Sequence, residues 1–240
     1  MVISFESVVL ISSVIAVAAS VQGITGFGFN LLAVPILILF FPPHLVVPGV
    51  LMAYVPLGLT QTFQLRRSID FRIWASFVGS AVVALPLGAY ILGEADVKTM
   101  RMGIGSVMIF LALLLQFRPG LPFRRDFLSR ILTGLLSGVL SGSTGVSGPP
   151  LVLLGLKQHW PYTAFRATLI AYFTMVSILT IPFHWRIGLV TPQTVQFAGS
   201  ALPGLLVGFF LGAHLRSRVD ASVFRWVALA MVIVGGLSAI

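Results

Sequence analysis

The chain has 240 residues, of which 58% are hydrophobic and only 9% charged, whereas about a quarter of the residues in a typical soluble domain are charged. With a mean hydropathy of +1.05, this composition excludes a soluble globular protein and predicts a protein embedded in the lipid bilayer. Fifteen Lys and Arg against six Asp and Glu give a formal net charge of +9. In a membrane protein this charge orients the chain, because Lys and Arg mark the cytoplasmic side, so we expect no nucleic-acid partner.

Six apolar blocks each have the length needed to cross a hydrocarbon layer of about 30 Å as a helix. They cover residues 46–64, 73–93, 99–117, 162–181, 193–214 and 222–240. Two further blocks, 7–43 and 131–156, carry no charged side chain and are interrupted at their middles by glycine-rich segments, residues 22–30 and 141–150. Glycine and proline break helices, so each block predicts either a helical hairpin or one helix with a break.

The distribution of positive charge favours the hairpin. If each interrupted block crosses once, the Lys and Arg residues divide eight against seven between the two sides. If each block returns to the side where it began, twelve face one side and three, Lys98, Arg101 and Arg186, face the other. Only the second division follows the positive-inside rule, and it places the N-terminus outside. Whether the hairpins are re-entrant or consist of two short full spans stays open, with re-entry favoured for the shorter second block.

Short motifs recur in the same order in both halves of the chain. They are GxTG at 23–26 and 142–145, L-x-A-Y at 51–54 and 169–172, and ALP at 84–86 and 201–203, with offsets of 119, 118 and 117. Each half, 1–120 and 121–240, would then hold one hairpin and three spans. Because three crossings end on the opposite side of the membrane, the second half begins there and is inverted relative to the first. The predicted fold is an all-α integral membrane protein of two inverted repeats, a plan typical of secondary transporters with a midplane site.

The two breaks are the predicted binding site. Helices that begin inside the membrane present unpaired N–H groups and a partial positive charge, and donors without nearby carboxylates suit a small anion. The predicted substrate-binding residues are Gln22, Gly23, Thr25, Gly26, Gly28, Asn30, Tyr54, Ser143, Thr144, Gly145, Ser147, Arg166 and Tyr172. The alternative is that Gly and Ser only allow close helix packing, and that Arg166 reaches the interface instead of facing a substrate.

Other features narrow the function. No Asp or Glu falls in the middle of a predicted span, no P-loop or catalytic triad order is present, and cysteine is absent. We therefore expect neither an enzyme nor a cofactor, and no metal site. The run Gly204-xxx-Gly208-xxx-Gly212 is typical of a helix–helix or dimer face, which makes a homodimer a further prediction.

The segment GITGFGF at 23–29 resembles the opening motif of the TauE/SafE sulfite exporter family. The segment GSTGVSGPP at 142–150, followed by RATLIAYF at 166–173, resembles the start of that family's second half. The resemblance covers essentially the whole chain. It implies a secondary transporter of the bacterial inner membrane that exports small sulfur-containing anions (sulfite, sulfoacetate or other organosulfonates) by alternating access. A passive anion channel on the same inverted-repeat scaffold is the alternative.

Overall fold

The computed structural model describes residues 4–117, 127–158 and 160–215, and within these ranges the chain is helical and contains no strand. The helices are α1 (Phe5–Thr25), α2 (Phe29–Leu37), α3 (Pro43–Leu65), α4 (Phe71–Glu94), α5 (Val97–Phe117), α6 (Phe127–Thr144), α7 (Gly148–Lys157), α8 (Tyr162–Arg186), α9 (Pro192–Ser200) and α10 (Leu202–Leu215), with a 3₁₀ turn at Arg66–Ser68 after α3.

Five helical segments of the described chain are long and apolar enough to cross a membrane. They are Phe5–Thr25, Pro43–Ser68, Phe71–Glu94, Tyr162–Arg186 and Pro192–Leu215. The last four confirm the spans predicted at 46–64, 73–93, 162–181 and 193–214. The block 99–117 forms α5, and the block 222–240 lies outside the described residues.

The predicted span 193–214 is interrupted where α9 meets α10. The two helices are separated by Ala201, whose backbone remains in the right-handed helical region. Pro203 follows closely and has no N–H to donate to the preceding turn. The interruption is therefore local, and the two helices together make one span-length segment.

Both interrupted blocks contain a long arm and a short arm. In the first, α1 has 21 residues and α2 has nine; in the second, α6 has 18 residues and α7 has ten. At 1.5 Å per residue the short arms are about 14–15 Å long, roughly half of a hydrocarbon layer of about 30 Å. Neither short helix can cross a membrane by itself, so a hairpin of two full spans is excluded in both blocks.

Glycine-lined faces bring two pairs of helices into close contact. The predicted stripe of Gly204, Gly208 and Gly212 on α10 packs against α1, where a Cβ at Gly212 would lie 2.6 Å from the carbonyl oxygen of Ser20. On α6, Gly134, Gly138 and Gly142 pack against α4 in the same way. The α10 stripe thus forms a helix–helix contact within the chain, as small residues do in membranes. The homodimer stays a prediction.

Contacts at both ends of α4 fix the direction of α8. The backbone N–H of Asp70, just before α4, donates to Thr168 Oγ1 at 3.1 Å, and Phe77 packs edge-on against Tyr172 with ring centroids 6.0 Å apart. At the other end, Gly93 lies against Ile187. The two helices therefore run in the same direction. Helix α6 also runs parallel to α4, because its glycines meet successive turns of α4 in order along the chain.

Helices α1 and α3 also run in the same direction. Near their beginnings both contact α9: Ser12 Oγ donates to the carbonyl of Ser200 at 2.7 Å, and Phe197 packs on Gly49. Near their ends, Gln22 Nε2 donates to Gln61 Oε1 at 3.3 Å.

Candidate functional site

The two helix breaks are built alike. Each long arm ends at a glycine with positive φ, Gly26 (84°) and Gly145 (72°), whose N–H donates to the carbonyl four residues earlier, at 2.8 Å and 3.0 Å respectively. The hydroxyls of Thr25 and Thr144 accept from the backbone N–H two residues later, at 3.4 Å and 3.2 Å. These threonines therefore hold the backbone of the breaks.

The short arms differ in the donors that they offer. Helix α2 begins after Gly28, whose φ of 103° favours glycine, and its first N–H groups have no partner within the helix. Helix α7 begins with Gly148, Pro149 and Pro150, and proline has no backbone N–H. The first break therefore presents more backbone donors than the second.

One hydrogen bond joins the two breaks across the protein. Asn30 Nδ2 donates to the carbonyl of Gly145 at 2.6 Å. Because a carbonyl oxygen only accepts, the amide nitrogen of Asn30 must face Gly145. The opposite side of the amide presents Oδ1, which is shielded from solvent and has no partner among the described residues.

Gln22 organises the first break. Its Nε2 lies within hydrogen-bonding distance of the Gly26 carbonyl (3.2 Å), the Tyr54 hydroxyl (3.1 Å) and Gln61 Oε1. Its Oε1 accepts from the first N–H of α2, that of Phe29, at 3.4 Å. Gln22 is 1% exposed, so this network is shielded from solvent and connects α1, α2 and α3.

A pocket lies between the two breaks, with an empty volume of about 420 Å³ that is partly open to the surroundings. It is lined by Gln22, Phe27, Gly28, Phe29, Asn30, Leu31, Tyr54, Val146, Ser147, Gly148, Pro149, Val152 and Phe173. These residues include no acidic or basic side chain. The lining is mostly apolar with a few placed polar groups, as is common in small-molecule sites.

Five of the predicted residues line the pocket: Gln22, Gly28, Asn30, Tyr54 and Ser147. The apolar residues that line the pocket were not among the predicted residues. Phe27, Phe29 and Val146 lie in the break segments, so their positions along the chain could have indicated them. Val152 and Phe173 lie in α7 and α8 and carry no such signal.

The other predicted residues lie beside the pocket. Gly23, Thr25, Gly26, Ser143, Thr144 and Gly145 belong to the break backbones or long-arm ends, and Arg166 and Tyr172 lie on α8. Ser143 Oγ donates within α6 to the carbonyl of Val139 at 2.8 Å. Tyr172 donates to Ser137 Oγ at 2.8 Å, and Ser137 donates to the carbonyl of Ser147 at 2.6 Å. Tyr172 thus supports the second break from behind, whereas Tyr54 lines the pocket.

Arg166 is buried at the first break. Its side chain lies directly against Gly26, where a Cβ would be 2.5 Å from Arg166 Cγ, and its Nη2 donates to the carbonyl of Gly23 at 3.0 Å. It is 5% exposed, so it is enclosed by protein. A cation at a helix C-terminus stabilises the end of α1.

Comparison with known proteins identifies the family. The family model for the sulfite exporter TauE/SafE matches residues 11–239. The chain belongs to the TauE/SafE family. A probable sulfite/organosulfonate exporter TauE from Cupriavidus necator is 27% identical over 173 residues, which cover 69% of this chain and 67% of that protein. No solved structure gives a significant match.

Family membership confirms the predicted resemblance and agrees with the apolar, membrane-spanning length of the helices. The TauE/SafE family is a family of sulfite exporters, and this member has several apolar helices of membrane-spanning length. It is a multi-pass membrane protein. Both breaks and the pocket lie within the matched residues.

Proposed function

We propose that this protein is a secondary transporter that exports small sulfur-containing anions, such as sulfite, sulfoacetate or other organosulfonates, across the bacterial inner membrane by alternating access. The observation that carries the proposal is the pocket between two helix breaks, lined by uncharged donors and backed by a buried arginine. Membership in the TauE/SafE family and the name of the relative from Cupriavidus necator support the substrate class.

The helix directions support the hairpin topology. Because α1 and α3 run in the same direction, α2 must return the chain to the side where α1 began. Because α6 and α8 are both parallel to α4, α7 must do the same in the second half. Single crossings of the interrupted blocks would make α4 and α8 antiparallel. We infer that the N-terminus is outside, which places twelve positive residues on the cytoplasmic side.

The same directions support two inverted repeats, 1–120 and 121–240. Helix α4 follows α3 through the short turn at Arg66–Ser68 and crosses in the opposite direction. Helix α6, parallel to α4, is therefore antiparallel to α1, its counterpart in the first half. The first helix of each half packs on the second span of the other half, α1 on α10 and α6 on α4. Such an arrangement places a substrate site at the repeat interface.

We infer that the anion is bound mainly by the first break. The N-terminal turn of α2 supplies backbone donors beside Gln22, Asn30 and Tyr54. Gly28 and Ser147 let the backbone approach closely. Arg166 adds favourable charge from behind Gly26. At an effective dielectric constant of about 20, the attraction between two opposite charges several ångströms apart is still a few kilocalories per mole.

The test is counterflow in proteoliposomes. Vesicles loaded with unlabelled sulfoacetate should transiently accumulate external radiolabelled sulfoacetate above equilibrium, because a carrier exchanges substrate across the membrane. Saturable counterflow supports the carrier. Labelled substrate that equilibrates without any overshoot would instead favour the passive channel, and the absence of any protein-dependent flux with sulfite and sulfonates would contradict the substrate class.

A further inference from the structure

Helix α8 carries buried polar side chains on one side, at Arg166 near its beginning and again through its second half. Arg166, Thr174, Ser177, Thr180 and His184 fall within an arc of about 120° at 3.6 residues per turn. All five are buried, with exposures of 5, 3, 2, 0 and 0%. From the first to the last is 18 residues, about 27 Å, which is close to the thickness of the hydrocarbon layer.

The partners of this polar face lie on several different helices. Thr174 Oγ1 is 3.1 Å from Thr62 Oγ1 on α3, and Thr180 Oγ1 is 3.3 Å from Ser141 Oγ on α6. Both threonines also donate to the carbonyl four residues earlier in α8, at 2.7 Å. A hydroxyl can rotate its hydrogen away from that carbonyl, so these groups can offer a donor to a passing oxyanion without moving the backbone.

His184 ends the polar face with an unsatisfied atom. Its Nε2 lies 2.8 Å from the carbonyl of Gly142, and because that oxygen only accepts, Nε2 carries the hydrogen. The other ring nitrogen, Nδ1, is buried and has no hydrogen-bond partner among the described residues. Buried polar atoms are ordinarily satisfied, and Nδ1 can only accept while Nε2 carries the hydrogen, so this nitrogen beside the second break needs a donor such as water or a protonated substrate.

We propose that the polar face of α8 (Thr174, Ser177, Thr180 and His184) is one wall of the path that the anion follows between the pocket and the two membrane surfaces. This rests on the proposed transport function. Ionisable side chains buried inside a membrane protein ordinarily mark a substrate or ion pathway, and His184 is such a side chain, with the three hydroxyls continuing from it along the same side of α8. The sequence of contacts places Thr174 towards the Arg66–Ser68 side and Thr180 and His184 towards the opposite side.

The natural absence of cysteine allows a direct test. Thr174→Cys, Ser177→Cys and Thr180→Cys are reacted with 2-sulfonatoethyl methanethiosulfonate, an anionic, membrane-impermeant reagent that itself bears a sulfonate. Ala171→Cys is the matched control, because Ala171 is equally buried, 4% exposed, but lies outside the polar face. Lys98→Cys, on an exposed residue, verifies the reagent. Modification is measured by intact mass.

We expect the polar-face cysteines to react at least tenfold faster than Ala171→Cys, and sulfoacetate to slow their reaction. Thr174→Cys should react from the side of Arg67, and Thr180→Cys from the opposite side. Reaction of Ala171→Cys at the same rate, or unreactive polar-face cysteines in folded protein, would overturn the path. If these cysteines react selectively but neither sulfite nor sulfonates bind the protein, the path stands and the proposed substrate class fails.

Discussion

The bond from Asn30 to Gly145 allows the charge preference of the pocket to be measured at one position. Asn30→Ala and Asn30→Asp both remove the donor that joins the two breaks, so both leave the Gly145 carbonyl without that partner. An unsatisfied buried acceptor costs about 1–3 kcal/mol, and we expect both variants to be destabilised by that amount. They differ in charge, because Asn30→Asp adds a carboxylate to the lining of a pocket that has no charged side chain.

The charge difference should appear in binding. At an effective dielectric constant of about 20, a carboxylate about 5 Å from a bound monoanion repels it by about 3 kcal/mol, which weakens the Kd by about two orders of magnitude. Equilibrium binding of radiolabelled sulfoacetate to purified Asn30→Ala and Asn30→Asp measures this difference, and thermal unfolding checks that both variants are folded. Equal dissociation constants in the two variants would refute the placement of the anion in this pocket.

Three further predictions concern the scaffold. Thr144→Val removes the acceptor for the buried N–H of Val146 and should lower the free energy of unfolding by about 1–3 kcal/mol. Thr144→Ser keeps the hydroxyl and should not lower it. Equal melting temperatures of the two variants would contradict the role of this hydroxyl. Gly208→Ala places a Cβ 2.7 Å from that of Ala19 and should lower the free energy of unfolding by about 1–3 kcal/mol. The control is Gly199→Ala, where nothing lies within 4 Å of the added Cβ. A Gly208→Ala protein as stable as the control would show that α1 and α10 can separate freely. For topology, Arg67→Cys and Thr163→Cys should be labelled from one side of the membrane and Lys98→Cys from the other; labelling of Arg67→Cys and Thr163→Cys from opposite sides would restore single crossings of the interrupted blocks.

The two breaks resemble each other in backbone conformation but differ in the donors that they present. The backbones of the two breaks match in glycine conformation and threonine capping. Their short arms do not match, since two prolines occupy the beginning of α7. The second break contributes apolar walls to the pocket and a carbonyl that orients Asn30.

The sequence by itself determined the elements of this protein. Uninterrupted apolar length predicts spans, because a helix in lipid must satisfy its own backbone, and four predicted spans are confirmed. The breaks fall at Gly26 and Gly145, inside the two predicted segments, since these positive φ angles strongly favour glycine. Family membership was also readable in the motifs around them.

Only the tertiary structure decided which groups meet. Thr25 and Thr144 have side chains suited to an anion, but their hydroxyls donate to backbone carbonyls at the breaks and long-arm ends, because helix ends leave carbonyl and N–H groups that must be satisfied inside a membrane. Arg166 likewise donates to a carbonyl there, that of Gly23. Val152 and Phe173 line the pocket because packing brings α7 and α8 beside the first break. The length of a block predicts that it is helical, but only contacts between distant helices determine its direction and its neighbours.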